Sequence, residues 1–147
     1  MNQSFQKIIN DVYRLNNELS PVDLDKKLKE IALKSKRKQS RICLHQNDSD
    51  LLHIMYICHL KGCKVKIHKH LEFPEWIIFL KGKSKIIYFD DNGNELKTIK
   101  INTEKNNGPI MTFIPKDKFH TLKFLEDSYF LEVKQGPFNI KSTIYLK

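Results

Sequence analysis

The sequence predicts a mainly β, single-domain fold, an antiparallel jelly-roll β-barrel or sandwich, preceded by two N-terminal α-helices. Three observations predict it. The chain has 147 residues, of which 40% are hydrophobic, enough for one compact core. From Arg41 onward, short β-rich runs alternate with turn clusters at 46–50, 90–94 and 106–109. Before Arg41 the apolar residues recur instead at steps of three and four.

Taken in order, Phe5, Ile8, Ile9, Val12, Leu15 and Leu19 form the stripe of a first amphipathic helix. Ser20-Pro21 then supplies an N-cap followed by proline at the first helical position, with Asp23 in the first turn. Leu24, Leu28, Ile31 and Ala32 form the stripe of a second helix ending near Lys34. Residues 1–38 therefore read as a helical extension and 39–147 as the barrel. Strands are expected at 41–45, 52–60, 64–70, 76–80, 84–90, 96–101, 110–114, 120–124, 129–134 and 143–146.

Composition narrows the function classes. No apolar run reaches the length of a membrane span, and the first residues lack the basic start and apolar stretch of a secretory signal, so a cytoplasmic protein with no membrane role is expected. Cys43, Cys58 and Cys63 are odd in number and form no Cys-x-x-Cys pair, which speaks for core packing rather than disulfides or a zinc ribbon. The net charge of +9 is concentrated partly at Lys26, Lys27, Lys29, Lys34, Lys36, Arg37 and Lys38. No nucleic-acid-binding motif accompanies that cluster, so it reads as a solvated helix face, and no nucleic-acid partner is expected. A positive field also steers small anionic ligands.

The segment from Gly62 to Gly82 carries the chemistry. His68 and His70 stand two apart on one expected strand, so both imidazoles reach the same face and can grip one ion, with Glu75 just beyond a turn. Glu72 is an alternative carboxylate. Gly62 and Gly82 bracket the segment where turns need positive φ. Strand parity places Lys66 on the face of the two histidines, as a cation for a phosphate or carboxylate. Arg41, Cys43 and His45 share a face by the same rule, which makes Arg41 a second candidate for substrate binding. His53 and His59 are too far apart to chelate and read as ordinary histidines.

The spacing Gly, five residues, His-x-His, four residues, Glu, six residues, Gly resembles the first motif of the cupin superfamily with every position filled. Pro115-Lys116-Asp117-Lys118-Phe119-His120 resembles the second, with Asp117 where the family has glycine; Asp tolerates the left-handed conformation better than most residues. The resemblance implies four metal ligands, His68, His70, Glu75 and His120. Three imidazoles and a carboxylate suit a divalent Zn, Fe, Ni or Mn ion without choosing among them.

A narrower resemblance spans about residues 30–140. Arg41-Ile-Cys-Leu-His45, His68-Lys-His70, Tyr88-Phe-Asp-Asp-Asn-Gly93, Pro115 to Leu122 and Glu132-Val-Lys-Gln-Gly-Pro-Phe138 are similar to the WbuC-type cupin-fold metalloproteins, a family associated with bacterial O-antigen and surface-polysaccharide gene clusters. It implies a metal site in a sugar context. Three functions fit: a metal-dependent isomerase or epimerase acting on a sugar or nucleotide sugar, with Glu132, Tyr88 or His45 moving the proton; a non-catalytic metal-dependent sugar-binding module; and an Fe(II) oxygenase. The expected partners are a small, anionic, sugar-type ligand and a second copy in a homodimer, since open sheet edges need covering.

Overall fold

A computed structural model describes residues 5–15, 21–105 and 108–147. Two sheets face each other. The first has seven strands in the order β1-β2-β3-β4-β11-β6-β9 and the second five, in the order β12-β5-β10-β7-β8. The elements, in chain order, are β1 (Phe5–Ile9), β2 (Val12–Leu15), α1 (Pro21–Lys34), β3 (Gln39–Cys43), β4 (Leu52–His59), β5 (His68–His70), β6 (Glu75–Lys81), β7 (Lys83–Phe89), β8 (Glu95–Asn102), β9 (Met111–Ile114), β10 (Phe119–Phe124), β11 (Ser128–Gln135), a 3-10 turn (Ile140–Ser142) and β12 (Thr143–Tyr145). The expected strands from Arg41 onward all form, with ends shifted by a few residues. The expected barrel does not close, because the described residues form two open sheets with no ladder joining them.

The first expected helix is a β-hairpin. Lys7 pairs with Tyr13 and Ile9 with Val12 around Asn10, whose φ of 47° is the left-handed geometry that a tight turn needs. Ile8, Ile9, Val12 and Tyr13 are β-branched or aromatic, and this preference overrides the three-and-four spacing. Only one helix, α1, is present among the described residues, ending at Lys34 as expected. The proposed Ser20 cap and Leu19 lie outside the described residues.

Hairpin and helix are built into the larger sheet. β2 pairs in parallel with β3, so β2-α1-β3 is a crossover unit within an otherwise antiparallel molecule. Leu28 and Ala32 of α1 pack on Ile42, Tyr56, Cys58 and Tyr129 of the sheet's outer face. Ser40 Oγ donates to the Leu28 carbonyl at 2.7 Å, and Tyr56 donates its hydroxyl to Asp25. Asp11, at the hairpin tip, accepts from Arg37 Nη2 at 2.7 Å and Ser35 Oγ at 3.0 Å. These contacts close the helix onto the sheet from both ends.

Between the sheets lies a core of Met55, Ile57, Ile77, Phe79, Ile86, Ile101, Ile114, Leu122, Phe124 and Phe130, with Cys43 and Cys63. All three cysteines are buried free thiols, as the sequence suggests. Register fixes which residues face this space. Cys43, Met55, Glu132 and Ile77 form one row across the first sheet, and His53, Lys134 and Glu75 form the next row toward one end. The apolar rows fill the middle, and the polar row opens onto the functional end.

Candidate metal centre

Three strands, β5, β6 and β10, bring four side chains together. β5 delivers His68 and His70, and His120 of β10 lies directly opposite His68 across the ladder. β6 begins at Glu75, after Phe73 and Pro74 return the chain from β5. One donor atom from each of His68, His70, Glu75 and His120 lies within 4.8 Å of the others. Glu72, the alternative carboxylate, points away and accepts from Asn139 Nδ2 at 2.6 Å.

The rings are oriented by their own backbone. His68 Nδ1 lies 2.8 Å from the Lys66 carbonyl and His120 Nδ1 lies 2.9 Å from the Lys118 carbonyl. A carbonyl only accepts, so each Nδ1 carries a proton and each Nε2 is left toward the cluster. His70 Nδ1 pairs with Thr143 Oγ1 at 3.2 Å, leaving its Nε2 toward Glu75. Metal-ligating histidines are held in this way, with the far nitrogen fixed by a second group.

Electrostatics match a cation. Burial pushes His68 down to about 4, helped by the neighbouring His120, so its ring is neutral near pH 7. Burial alone would raise the Glu75 carboxyl, yet the facing His120 and His70 outweigh it and hold it well below the usual carboxylate range. His120 is 0% exposed, and its Nε2 sits 3.2 Å from Glu75 Oε1 without forming a hydrogen bond. Ion-pair distance is met there but hydrogen-bond alignment is not, and the orphaned nitrogen decides the fit. A buried ring nitrogen beside a carboxylate, with no hydrogen bond between them, is an arrangement that a shared cation would satisfy. The cluster could therefore hold a divalent metal through three imidazoles and one carboxylate.

The turns that support this arrangement are those the motif needs. Gly62 has φ of 76° and Gly82 of 101°. A Cβ on Gly82 would lie 2.5 Å from the Asp127 carbonyl oxygen and 2.8 Å from Ser128 Cα, so no side chain fits. Asp117 takes the left-handed position with φ of 60°, and its amide donates to the His70 carbonyl at 2.8 Å, tying the two halves of the site.

The remaining candidates are scattered around the cluster. Tyr88 lies opposite His120 on β7, with ring centroids 6.5 Å apart, and its hydroxyl donates to the Phe113 carbonyl at 3.3 Å. Glu132 faces the interior beside Ile77 and pairs with Lys134 at 3.1 Å. Arg41 is half-buried, with Nη1 3.8 Å from Met55 Sδ. His45 stacks on His53 at 3.9 Å and bonds through Nδ1 to the Ile54 carbonyl at 3.2 Å, outside the four-residue cluster.

The parity argument for Lys66 fails. Cys63 is buried and Val65 packs on the core, while His68 and His70 also face inward, so the inward set changes from odd to even across 65–67, where no ladder forms. Lys66 is exposed, its ammonium 5.6 Å from the ring centroid of Tyr145, which in turn faces His68. It belongs to the rim. Lys134, directly opposite Glu75 on β11, is a lysine that does face inward. Its signal was available: Lys134 stands two residues after Glu132 and shares its face.

Solved structures with this fold support the architecture. The capsular polysaccharide assembling protein CapF from Staphylococcus aureus aligns with a TM-score of 0.61 at 18% identity, over 77% of this chain and 33% of that one. Oxalate decarboxylase from Bacillus subtilis aligns at 0.56 and 20% identity, over 74% and 27%. A protein from Shewanella oneidensis aligns at 0.52 and 18%, over 69% and 66%. The chain thus spans about a third of CapF, and these likenesses establish a cupin fold. No curated protein matches the chain. Among the described residues no helix is long and apolar enough to cross a membrane. Residues 22–101, more than half of the chain, match the family described as a domain of unknown function, DUF6016, and the chain belongs to that family.

Proposed function

We propose that this chain is a metal-binding cupin whose pocket handles a small anionic sugar or nucleotide sugar in bacterial surface-polysaccharide biosynthesis. The observation that carries the metal is the convergence of His68, His70 and His120 on the Glu75 carboxylate, with Nδ1 of His68 and His120 held by the Lys66 and Lys118 carbonyls. The sugar context draws on the WbuC-type sequence runs and on the likeness to CapF, a capsular polysaccharide assembling protein.

A divalent ion held by His68, His70, Glu75 and His120 would supply a Lewis acid that polarises a carbonyl and acidifies an adjacent C–H. The reaction favoured is isomerisation or epimerisation. Burial raises the Tyr88 phenol, so it keeps its proton beside His120 and serves as a donor. Glu132, a carboxylate on the inward face, is the acceptor. Arg41 on the same face and Lys66 at the rim attract the ligand's negative charge. A non-catalytic binding module is the second reading, favoured because Glu132 and Tyr88 are both already engaged, by Lys134 and the Phe113 carbonyl.

Elemental analysis of the purified protein and of the variants His68→Ala and His120→Ala tests the site. The wild type is expected to carry about one divalent ion per chain, and each variant to lose it. Full occupancy in either variant overturns the ligand assignment. Mass spectrometry of sugar nucleotides incubated with the protein separates the readings, since a product establishes catalysis and binding without product establishes the module.

A further inference from the structure

At the site end a lysine faces the inner side of the first sheet. Lys134 lies opposite Glu75, and its side chain is 22% exposed; Glu132, its partner at 3.1 Å, is 14% exposed. Glu75 is already committed to His70 and His120. Arg41 faces the same interior, with no ion-pair partner among the described residues and only the Met55 sulfur, a weak acceptor, beside its guanidinium. Glu132 thus balances Lys134, while Arg41 lies two rows away, opposite Ile57.

A cleft opens beside this lysine. It is lined by His70, Phe73, Lys134, Phe138, Asn139 and Thr143, so one wall is a candidate metal ligand and the other is the lysine. The chain after β11 turns at Gly136 and returns through the 3-10 turn to β12, which pairs with β5 and roofs the cleft. An ammonium has three donors, and the Glu132 contact uses one. The pairing points the lysine without exhausting it.

We infer that Lys134 is the oxyanion-binding residue of this cleft, holding the phosphate or carboxylate of a ligand whose other end reaches the His70 side of the metal centre. This rests on the proposed reading of the site as a metal centre for an anionic ligand. Glu132 holds one of the three donors and leaves the others to the ligand. A neutral sugar has no use for Lys134, so the residue selects for charged ligands.

Calorimetric titration of the as-purified protein with inorganic phosphate and with glucuronate tests this, using glucose as the uncharged control and measuring metal content in each sample. The wild type binds at least one of the two oxyanions, and which one identifies the group. Lys134→Met, which keeps the stem, binds it at least roughly tenfold more weakly at unchanged metal content, as loss of a charge-assisted hydrogen bond requires. Glu132→Gln, which frees the ammonium without removing it, binds as tightly as wild type or more so. The inference is overturned if wild type binds neither oxyanion, if Lys134→Met binds within twofold of wild type, or if Glu132→Gln loses as much as Lys134→Met. Oxyanion binding that depends on Lys134 in protein without metal supports the inference and sinks only the metal reading.

Discussion

Replacing His59 by leucine tests the electrostatics of the core independently of any metal. His59 is buried, with its ring edge-on to Phe124 and Phe130, centroids at 4.6 and 5.3 Å, and both ring nitrogens lack partners. Gln39 and Ser128 flank it on the neighbouring strands, and the charges facing it are Arg41 and Arg37. Burial, then those two cations, push its pKa from 6.5 down to about 3. A depressed histidine takes up its proton first in the unfolded chain, so stability is intact above about pH 6.5 and falls with acid until about pH 3. pH 5 lies about 1.5 units below the ring's ordinary pKa of 6.5, and at about 1.36 kcal/mol per unit this one residue costs about 2 kcal/mol. Urea unfolding of chelator-treated protein at pH 7.5 and 5.0 measures it. His59→Leu should lose about 2 kcal/mol less than wild type between the two. At pH 7.5 it should be at least as stable, since two unsatisfied nitrogens leave the core. Equal pH dependence in the two proteins would refute the argument.

Gly82→Ala places a methyl against the Asp127 carbonyl at a φ of 101°, and a loss of roughly 3 kcal/mol or more is expected in denaturant unfolding. Asp117→Gly relieves a left-handed residue and should gain about 1 kcal/mol with metal content unchanged, whereas Asp117→Val should lower both stability and metal retention. Asp11→Ala removes the acceptor that joins the hairpin to Ser35 and Arg37, costing about 2 kcal/mol and exposing residues 5–15 to limited proteolysis.

The strands and the four clustered residues were legible in the sequence because both are written in local spacing. His-x-His needs only strand parity to converge, and Gly62, Gly82 and Asp117 mark turns whose positive φ the structure shows. The hairpin was hidden because Phe5, Ile8, Ile9, Val12 and Leu15 satisfy a helical period by chance of spacing. The Asn10-Asp11 turn and the β-branched run around it carried the contrary signal. Lys66 was misplaced for a different reason. Parity propagates only along an unbroken ladder, and between Val65 and His68 there is none. A break of that kind depends on how β10 meets the chain, Thr121 donating to the Val65 carbonyl at 2.6 Å, a long-range contact that local pattern does not encode. Lys134 was missed although its parity with Glu132 was plain, because its importance comes from facing Glu75 across another strand.

The bracing of His68 and His120 by the main-chain oxygens two residues earlier separates the ion cage from its surroundings. Peptide oxygens are the same whatever side chain a residue carries. Positions 66 and 118, both exposed lysines here, can therefore be rewritten without loosening either ring. The rim can therefore change in sequence while the four-residue cluster stays in place, and on the proposed reading ligand selectivity and ion binding become separately engineerable.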